Sequence, residues 1–414
     1  MHVNKWTVGL AVVGLISVGS VAQADEKPAS TVMTALSATT LSGYVDTSMQ
    51  WNFGTGNQAL PDYKFGGSSK ADGFNLDVVQ IRIDKPLDEQ DWAAGYRVDL
   101  WAGPDANTLG TQSSGSASDF AVRQAYVALR MPILPNGLDW KVGVFDSIIG
   151  YESVESPNNP NYTRSFGHSI EPQTHTGLLA SYRFSEVVSA SAGIANTIGP
   201  MINERATEFG KAESLKTYMG SFALTAPDSM GFLSGSTMYF GVVNGPSSKN
   251  VYPDPTADPT DPASHINETQ TSWYVGATVA TGVQGLRAGV AFDCLDRHEP
   301  GETWTLGGYA SFQATEKLSL HLRGEFLRDR GEQKFFRQAE VIDGTDLIVA
   351  TNPNESMAWT LTAQYDLWKN VLSRVELRWD HLLSGEKTWG TLNDAGVGSL
   401  KNEWMLAANI IYKF

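Results

Sequence analysis

The chain is poor in cysteine, in charge and in long apolar runs, and each shortage excludes a class of protein. One Cys in 414 residues rules out a disulfide-stapled scaffold. Lys and Arg number 30 against 45 Asp and Glu, and this acidic balance argues against a nucleic-acid-binding protein. Charged residues make up only 18% of the chain and Trp occurs 12 times, so the composition does not suit a disordered chain either.

The first 24 residues have the form of a secretion signal. Lys5 precedes an apolar run over 8–22, and Ala22-Gln23-Ala24 offers the small residues that signal peptidase recognises. A transmembrane helix is the alternative, but the run is shorter than the roughly 20 residues that a helix needs. We therefore expect 1–24 to be a signal peptide. Residues 25–40, rich in Ala, Ser and Thr, are expected to form a flexible periplasmic lead-in.

From residue 41 onward, apolar and polar residues alternate, as they do on strands with one apolar and one wet face. In 371–380, for example, Val375 and Leu377 share one face while Glu376 and Arg378 share the other. The segment 74–84 breaks this alternation. A β-bulge near Val78–Val79 would restore a single apolar face, and a strand buried on both faces is the alternative.

Sixteen segments of this kind can be counted, and their connections alternate between short and long. The segments are 41–53, 73–84, 91–103, 119–131, 137–146, 175–184, 187–197, 213–225, 231–244, 269–281, 284–295, 302–314, 317–328, 356–367, 370–381 and 400–414. Short turns at one end and long loops at the other are typical of outer-membrane barrels. Residues 41–414 are therefore predicted to form an all-β, antiparallel up-and-down transmembrane barrel of 16 strands, with 14 or 18 as alternatives.

Charged residues of both signs fall on the wet face of these strands. A barrel of 16 to 18 strands encloses an aqueous channel, so this face is predicted to be the wall of a water-filled pore. Mutual salt bridges that stiffen the wall are the alternative for any single pair. The wall residues singled out are Arg97, Asp99, Arg323, Glu325, Arg374, Glu376, Arg378 and Asp380.

The third long loop, 147–174, is a candidate pore constriction. If the loop folds inward, its charged residues narrow the pore; if it folds outward, it only packs on the rim. The constriction residues would be Glu152, Glu155, Arg164 and Glu171. Because three of these four are acidic, the sequence predicts a weak preference for cations.

Around this loop the chain resembles a known family. The run KVGVFDSIIGYESVESPNNPNYTRSF from Lys141, with Pro172 and His175-Thr176-Gly177, is similar to a pattern of the putative β-barrel porin family described as OmpL-like. The segments LSGYVDTSMQWNF and RQAYVALRMP, and the stretch FNLDVVQIRIDKPLDEQDWAAGYRVDLWAGPDAN, also resemble its N-terminal half. The chain departs from that pattern at Val144-Phe145-Asp146, which replaces a basic-led Lys-Phe.

The resemblance implies an outer-membrane barrel that acts as a porin. We expect it to admit small hydrophilic solutes by passive diffusion and to be surrounded by outer-membrane lipids. Tyr412 and the terminal Phe414 resemble the signal that the bacterial barrel-assembly machinery recognises. A homotrimer is expected only by analogy with general porins. No cofactor, metal or nucleic-acid partner is expected.

Two other function classes remain open. A structural or adhesive barrel would act through its external loops and would not conduct. A rim-sited barrel enzyme is less favoured, because the chain contains no HExxH, GxSxG or Walker A motif.

Overall fold

The computed structural model describes most of the chain from residue 38 to the C-terminus. The described residues are 38–54, 59–61, 70–109, 118–206, 213–246, 269–297, 301–330, 339–342, 346–349, 354–385, 387–393 and 398–414. The predicted signal peptide and nearly all of the predicted lead-in lie outside these residues.

Sixteen strands form one closed barrel, which confirms the predicted fold. Each strand pairs antiparallel with the next barrel strand along the chain, and the last strand closes the barrel by pairing with the first. The strands are β1 Thr40–Phe53, β2 Gly73–Lys85, β3 Ala94–Ala102, β4 Phe120–Met131, β5 Leu138–Asp146, β6 Thr174–Arg183, β7 Val188–Ala195, β8 Thr217–Thr225, β9 Thr237–Pro246, β10 Thr269–Ala280, β11 Leu286–Asp296, β12 Glu302–Gln313, β13 Leu318–Asp329, β16 Asn354–Trp368, β17 Val371–Leu382 and β18 Asn402–Lys413.

Two further strands and two short helices lie in the long connections. Strands β14 Ala339–Ile342 and β15 Asp346–Val349 form a separate hairpin between β13 and β16, where the sequence predicts only a loop. Helices α1 Asp105–Leu109 and α2 Phe166–Ile170 each have five residues. Among the described residues, no helix is long and apolar enough to cross a membrane.

The outer face of the barrel is apolar and uncovered. Mid-strand residues such as Leu322 and Leu361 are exposed, although aliphatic side chains of this kind normally lie in a core. Aromatic residues are exposed near both ends, with Trp51 at the long-loop end and Trp368 and Phe414 at the short-turn end. An apolar band between two aromatic girdles is what a barrel in lipid presents.

The strand β2 contains the bulge that its broken alternation predicts, one residue earlier than expected. In the pairing with β1, Thr47 faces Leu76 and Asp46 faces Val78, so Asp77 is the extra residue. Asp77 and Val78 are both buried, and the apolar residues on either side then share the outer face.

The expected start of the ninth segment at residue 231 is wrong, because β9 begins at Thr237. The preceding residues form a 3-10 segment, Asp228–Leu233, and a turn. Gly231 and Gly235 have φ angles of 62° and 73°, a left-handed conformation that ends extended structure.

Candidate functional site

The connection between β5 and β6, residues 147–173, lies inside the barrel, and we call it the inward loop. Most of its side chains are buried, including those of Ile148, Tyr162 and Phe166. Helix α2, within the loop, packs against β11, β12 and β13. The inward loop therefore occupies the lumen, between the walls.

Two local features allow the inward loop to fold compactly. Gly150 has a φ angle of +124°, which is strained for any residue with a side chain. A Cβ at this position would also overlap the Glu171 carboxylate, so glycine lets the two ends of the loop meet. Ser165 caps α2, because its side chain accepts a hydrogen bond of 3.1 Å from the backbone N–H of His168.

Arg323 on β13 is a principal anchor of the inward loop. Its guanidinium donates to Glu152 Oε1 at 2.7 Å and to the carbonyl oxygen of Thr163 at 2.9 Å. Its Nε lies 2.7 Å from Glu325 Oε2 on the same strand. All three charged side chains are buried, and breaking such a pair leaves an uncompensated charge in a poorly solvated place.

Two arginines of β17 hold the loop backbone in the same way. Arg374 donates to the carbonyl oxygen of Asn161 at 3.1 Å, and Arg378 donates to that of Arg164 at 3.0 Å. Arg378 is itself held by Asp380, which accepts two hydrogen bonds of 2.9 Å. Both wall arginines are therefore buried and donate hydrogen bonds to the backbone of the inward loop.

Two wall carboxylates receive the backbone N–H groups of the loop. Glu376 accepts from the N–H groups of Tyr162 at 2.6 Å and Thr163 at 3.0 Å. Glu325 accepts from the N–H of Phe166 at 2.6 Å. Hydrogen bonds to charged groups are roughly twice as strong as neutral ones, so this side of the barrel fixes the loop firmly.

The remaining predicted wall residues, Arg97 and Asp99, lie on β3, and their ion-pair partners lie on β2. Asp99 pairs with Arg82 at 2.6 Å, and Arg82 also pairs with Glu155 of the inward loop. Arg97 pairs with Asp84 at 2.9 Å. Asp99 therefore helps to hold Arg82 against Glu155 of the inward loop, whereas Arg97 forms an ion pair within the wall.

The structure places the four predicted constriction residues in three different settings. Glu152 and Glu155 each pair with a wall arginine. Arg164 is 1% exposed and donates to carbonyl oxygens within its own loop. Glu171 forms no ion pair with a lysine or arginine of the described residues. Counting loop charges thus overstates the field that a solute meets, because two of the three carboxylates are already paired.

Tyrosines of β9 and β12 also contact the inward loop. The Tyr239 hydroxyl of β9 donates to the carbonyl oxygen of Ile148 at 2.5 Å. Tyr151 of the loop stacks on Tyr309 of β12, with ring centroids 4.0 Å apart. The sequence analysis missed these residues, although Tyr239 and Tyr309 fall on the wet face of their strands, which is the signal that could have found them.

Asp293 of β11 is a buried carboxyl group on the lumen side, as the alternation of its strand predicts. Glu171 follows α2, which packs against β11, the strand that carries Asp293. Burial and the neighbouring Asp293 raise the pKa of Glu171 well above its ordinary value. Asp293 is 3% exposed, so both groups are removed from bulk water.

The described residues enclose a small cavity and a large chamber. A small one, about 30 Å³, is lined by residues that include Arg123, Glu152 and Glu171. A large chamber of about 1430 Å³ lies at the short-turn end and is lined by Arg287 and Lys413, among others. Among the described residues, no group of three or more His, Cys, Asp or Glu side chains is placed to hold a metal ion.

Comparison with known proteins supplies a family match over almost the whole described chain. A family model described as putative beta-barrel porin-2, OmpL-like, matches residues 38–414. No curated protein matches the chain significantly in sequence.

Among solved structures, several outer-membrane proteins share the fold at low identity. The outer membrane channel DcaP of Acinetobacter baumannii is 10% identical with a TM-score of 0.56, covering 91% of this chain and 97% of that chain. The anion-selective porin from Comamonas acidovorans is 12% identical with a TM-score of 0.55, covering 91% and 99%. The trimer form of OmpT of Vibrio cholerae is 10% identical with a TM-score of 0.53, covering 91% and 99%. At these identities the likeness is one of fold.

Proposed function

Because the chain belongs to the putative beta-barrel porin-2, OmpL-like family and is an outer-membrane porin, we propose that it admits small hydrophilic solutes by passive diffusion, with the inward loop as the constriction. The observation that carries this proposal is a closed barrel in which the inward loop lies in the lumen and a chamber of about 1430 Å³ opens at the short-turn end. The family and fold indicate a channel rather than an enzyme.

A weak cation preference is part of the proposal. The support is local, because Glu152 and Glu155 are paired with arginines whereas Glu171 and Asp293 have no lysine or arginine partner among the described residues. Carboxylates in a narrow zone favour cations over anions. The anion-selective porin of Comamonas acidovorans has the same fold, so the fold itself does not set the sign.

Single-channel recording tests both parts of the proposal. The purified barrel, shown to be folded by its heat-dependent mobility on a gel, is added to a planar bilayer. Stable conductance steps are expected, and under a KCl gradient the reversal potential should have the sign of a cation-preferring pore. A reversal potential of anionic sign would contradict the cation preference while leaving the channel in place.

The absence of conductance from a folded barrel would contradict the channel itself. The alternative would then be a structural or adhesive barrel that acts through its external loops. The one observation that favours this alternative is the burial of the inward loop. Ile148 and Ile149 of this loop, for example, belong to a buried apolar cluster together with Phe145 of β5. The next experiment would then be a search for soluble ligands that bind the long external loops.

The setting in the cell is proposed from the same family relation. The barrel lies in the outer membrane, with lipids against its apolar face, after removal of the signal peptide 1–24. We propose that the barrel-assembly machinery reads the terminal Phe414, whose backbone pairs with that of Gly43 to close the barrel. A homotrimer is proposed because the related fold of Vibrio cholerae OmpT has a trimer form; mass measurement in detergent tests it.

A further inference from the structure

The two parts of the inward loop contact the barrel wall through different chemistry. From Glu152 onward, the loop is bonded by buried wall charges such as Arg323 and Glu376. Residues 148–151 instead contact neutral groups of β9, β10, β11 and β12, which are four adjacent strands of the sheet. The first part of the loop is therefore placed by the fit of its side chains against the wall and not by charge.

Ile149 lies directly over Gly241, a lumen-side residue of β9. Ile149 is buried and belongs to an apolar cluster that includes Met219 of β8 and Val243 of β9. A Cβ on Gly241 would overlap Ile149 Cγ2, whereas the next atom, Tyr239 Cε1, is 3.5 Å away and at ordinary van der Waals distance. Gly241 does not have a positive φ angle, so glycine is needed at this position for space and not for backbone conformation.

Tyr151 makes a second contact of this kind, with Gly289 of β11. A Cβ on Gly289 would overlap the Tyr151 hydroxyl. The Tyr151 ring stacks on Tyr309 with centroids 4.0 Å apart, and its hydroxyl accepts a hydrogen bond of 3.2 Å from Thr278 of β10. These contacts hold the ring against the wall. Glycine inside a strand weakens the strand and often marks a close approach of another part of the chain, as at Gly241 and Gly289.

Building on the proposed function, on which this inference rests, we propose that Ile149 and Tyr151 are positioning residues of the constriction. Lying over Gly241 and Gly289, they hold the first part of the inward loop against the wall, and this contact sets the width of the passage. The wall charges of β13 and β17 hold the later part of the loop in place. A side chain at either glycine position therefore lifts 148–151 from the wall and widens the passage along β9–β12.

Gly241→Ala tests this role in the full barrel, alone and together with Ile149→Ala. Alone, the new methyl group overlaps Ile149, so peptides that span 147–151 should exchange hydrogen about tenfold faster and single-channel steps should become larger. Ile149→Ala removes the Cγ2 atom that causes the overlap. In that background, Gly241→Ala should change the exchange rate and the step size by less than about twofold. Heat-dependent gel mobility should show a folded barrel for every variant.

Gly308→Ala is the matched control, because Gly308 is exposed on the lipid face of β12. The nearest non-neighbouring atom that a Cβ there would meet, among the described residues, is the carbonyl oxygen of Gly324 at 3.9 Å. This variant should leave the exchange rate and the step size within about twofold of the unmodified values. Gly289→Ala, which displaces the Tyr151 hydroxyl, is the second variant should Gly241→Ala fail to fold, with Tyr151→Ala as its compensating change.

Equal effects of Gly241→Ala in the two backgrounds would overturn the positioning role, because the change would then come from the strand and not from its contact with Ile149. Faster exchange without a change in step size would also overturn it, since the contact would then not set the width of the passage. Native exchange and native steps in a conducting Gly241→Ala barrel would refute the positioning role alone. A silent unmodified barrel would instead refute the proposed function.

Discussion

Replacing Arg323 by glutamine should release the inward loop from the wall while leaving the barrel folded. In the native protein, Arg323 lies 2.7 Å from Glu152 on the loop and 2.7 Å from Glu325 on its own strand. Arg378 also lies 3.9 Å from Glu325, so Glu325 keeps a positive neighbour in the variant. Glu152 loses the one arginine or lysine ion pair that it makes among the described residues.

The size of the effect follows from this difference. Removing one partner of a buried ion pair costs about 3–5 kcal/mol, and the lower end applies because Glu325 retains Arg378. About 3 kcal/mol changes the ratio of packed to released loop by roughly a hundredfold. The barrel itself should be spared, because its strands are held by backbone ladders all round the closed sheet.

Hydrogen–deuterium exchange of the 147–173 peptides in the folded barrel measures the release directly. Backbone N–H groups of the loop that bond Glu376 and Glu325 should exchange roughly a hundredfold faster in Arg323→Gln. Single-channel recording of the same sample should show larger or noisier steps. Adding Glu152→Gln to this variant removes the unpaired carboxylate and should restore much of the protection.

Arg328→Gln is the matched control on the same strand. Arg328 pairs with Glu355 at 3.4 Å, but both side chains are about a third exposed. Such pairs contribute about 0–1 kcal/mol, so loop exchange should be almost unchanged. If Arg323→Gln gives the same exchange rates as Arg328→Gln, the view that buried ion pairs hold the loop in the lumen is wrong.

Three further predictions address the lipid face, the loop and the leader. Leu322→Arg, on the outer face of β13, should lower the free energy of unfolding in lipid vesicles by about 2–4 kcal/mol. Leu134→Arg, on a short turn, should change it by less than about 0.5 kcal/mol. Equal changes in the two variants would contradict a lipid-facing Leu322. The pKa of Glu171 is raised when the inward loop is packed, so packing favours the protonated carboxyl group. The protection of the loop N–H groups from hydrogen exchange should therefore fall as pH rises from the ordinary carboxyl pKa toward the raised value. A Glu171→Gln barrel should lack this pH dependence, and protection that rises with pH would refute the assignment. Mass spectrometry of the exported protein should find Asp25 as the first residue, and an uncleaved N-terminus would refute the predicted signal peptide.

The strand pattern could be predicted from sequence because lipid and lumen impose their polarity on alternate residues. Val375 and Leu377 point outward and are exposed, while Glu376 and Arg378 point inward and are buried. This period of two is local, and so is the contrast between short and long connections. Even the bulge in β2 was predictable within one residue, because an extra residue shifts the parity of everything after it.

Local sequence predicts less well where a strand begins or a loop folds on itself. The turn before β9 was assigned to the strand, because only the left-handed φ angles of Gly231 and Gly235 distinguish the two. The hairpin of β14 and β15 lies in a long connection that was expected to be irregular.

The sequence by itself determined the barrel and the side of each strand that faces the lumen, because these follow from residues one or two positions apart; it favoured 16 strands, and the closed sheet fixed that number. Only the tertiary structure decided what the charged residues do. Arg323 meets Glu152 across 171 positions, and Glu376 meets the Tyr162 N–H across 214. Whether a loop charge faces an arginine, as Glu152 does, or another carboxyl group, as Glu171 does, depends on how the loop seats against strands distant in sequence. No periodicity within the loop encodes that seating, so the constriction chemistry came from the fold.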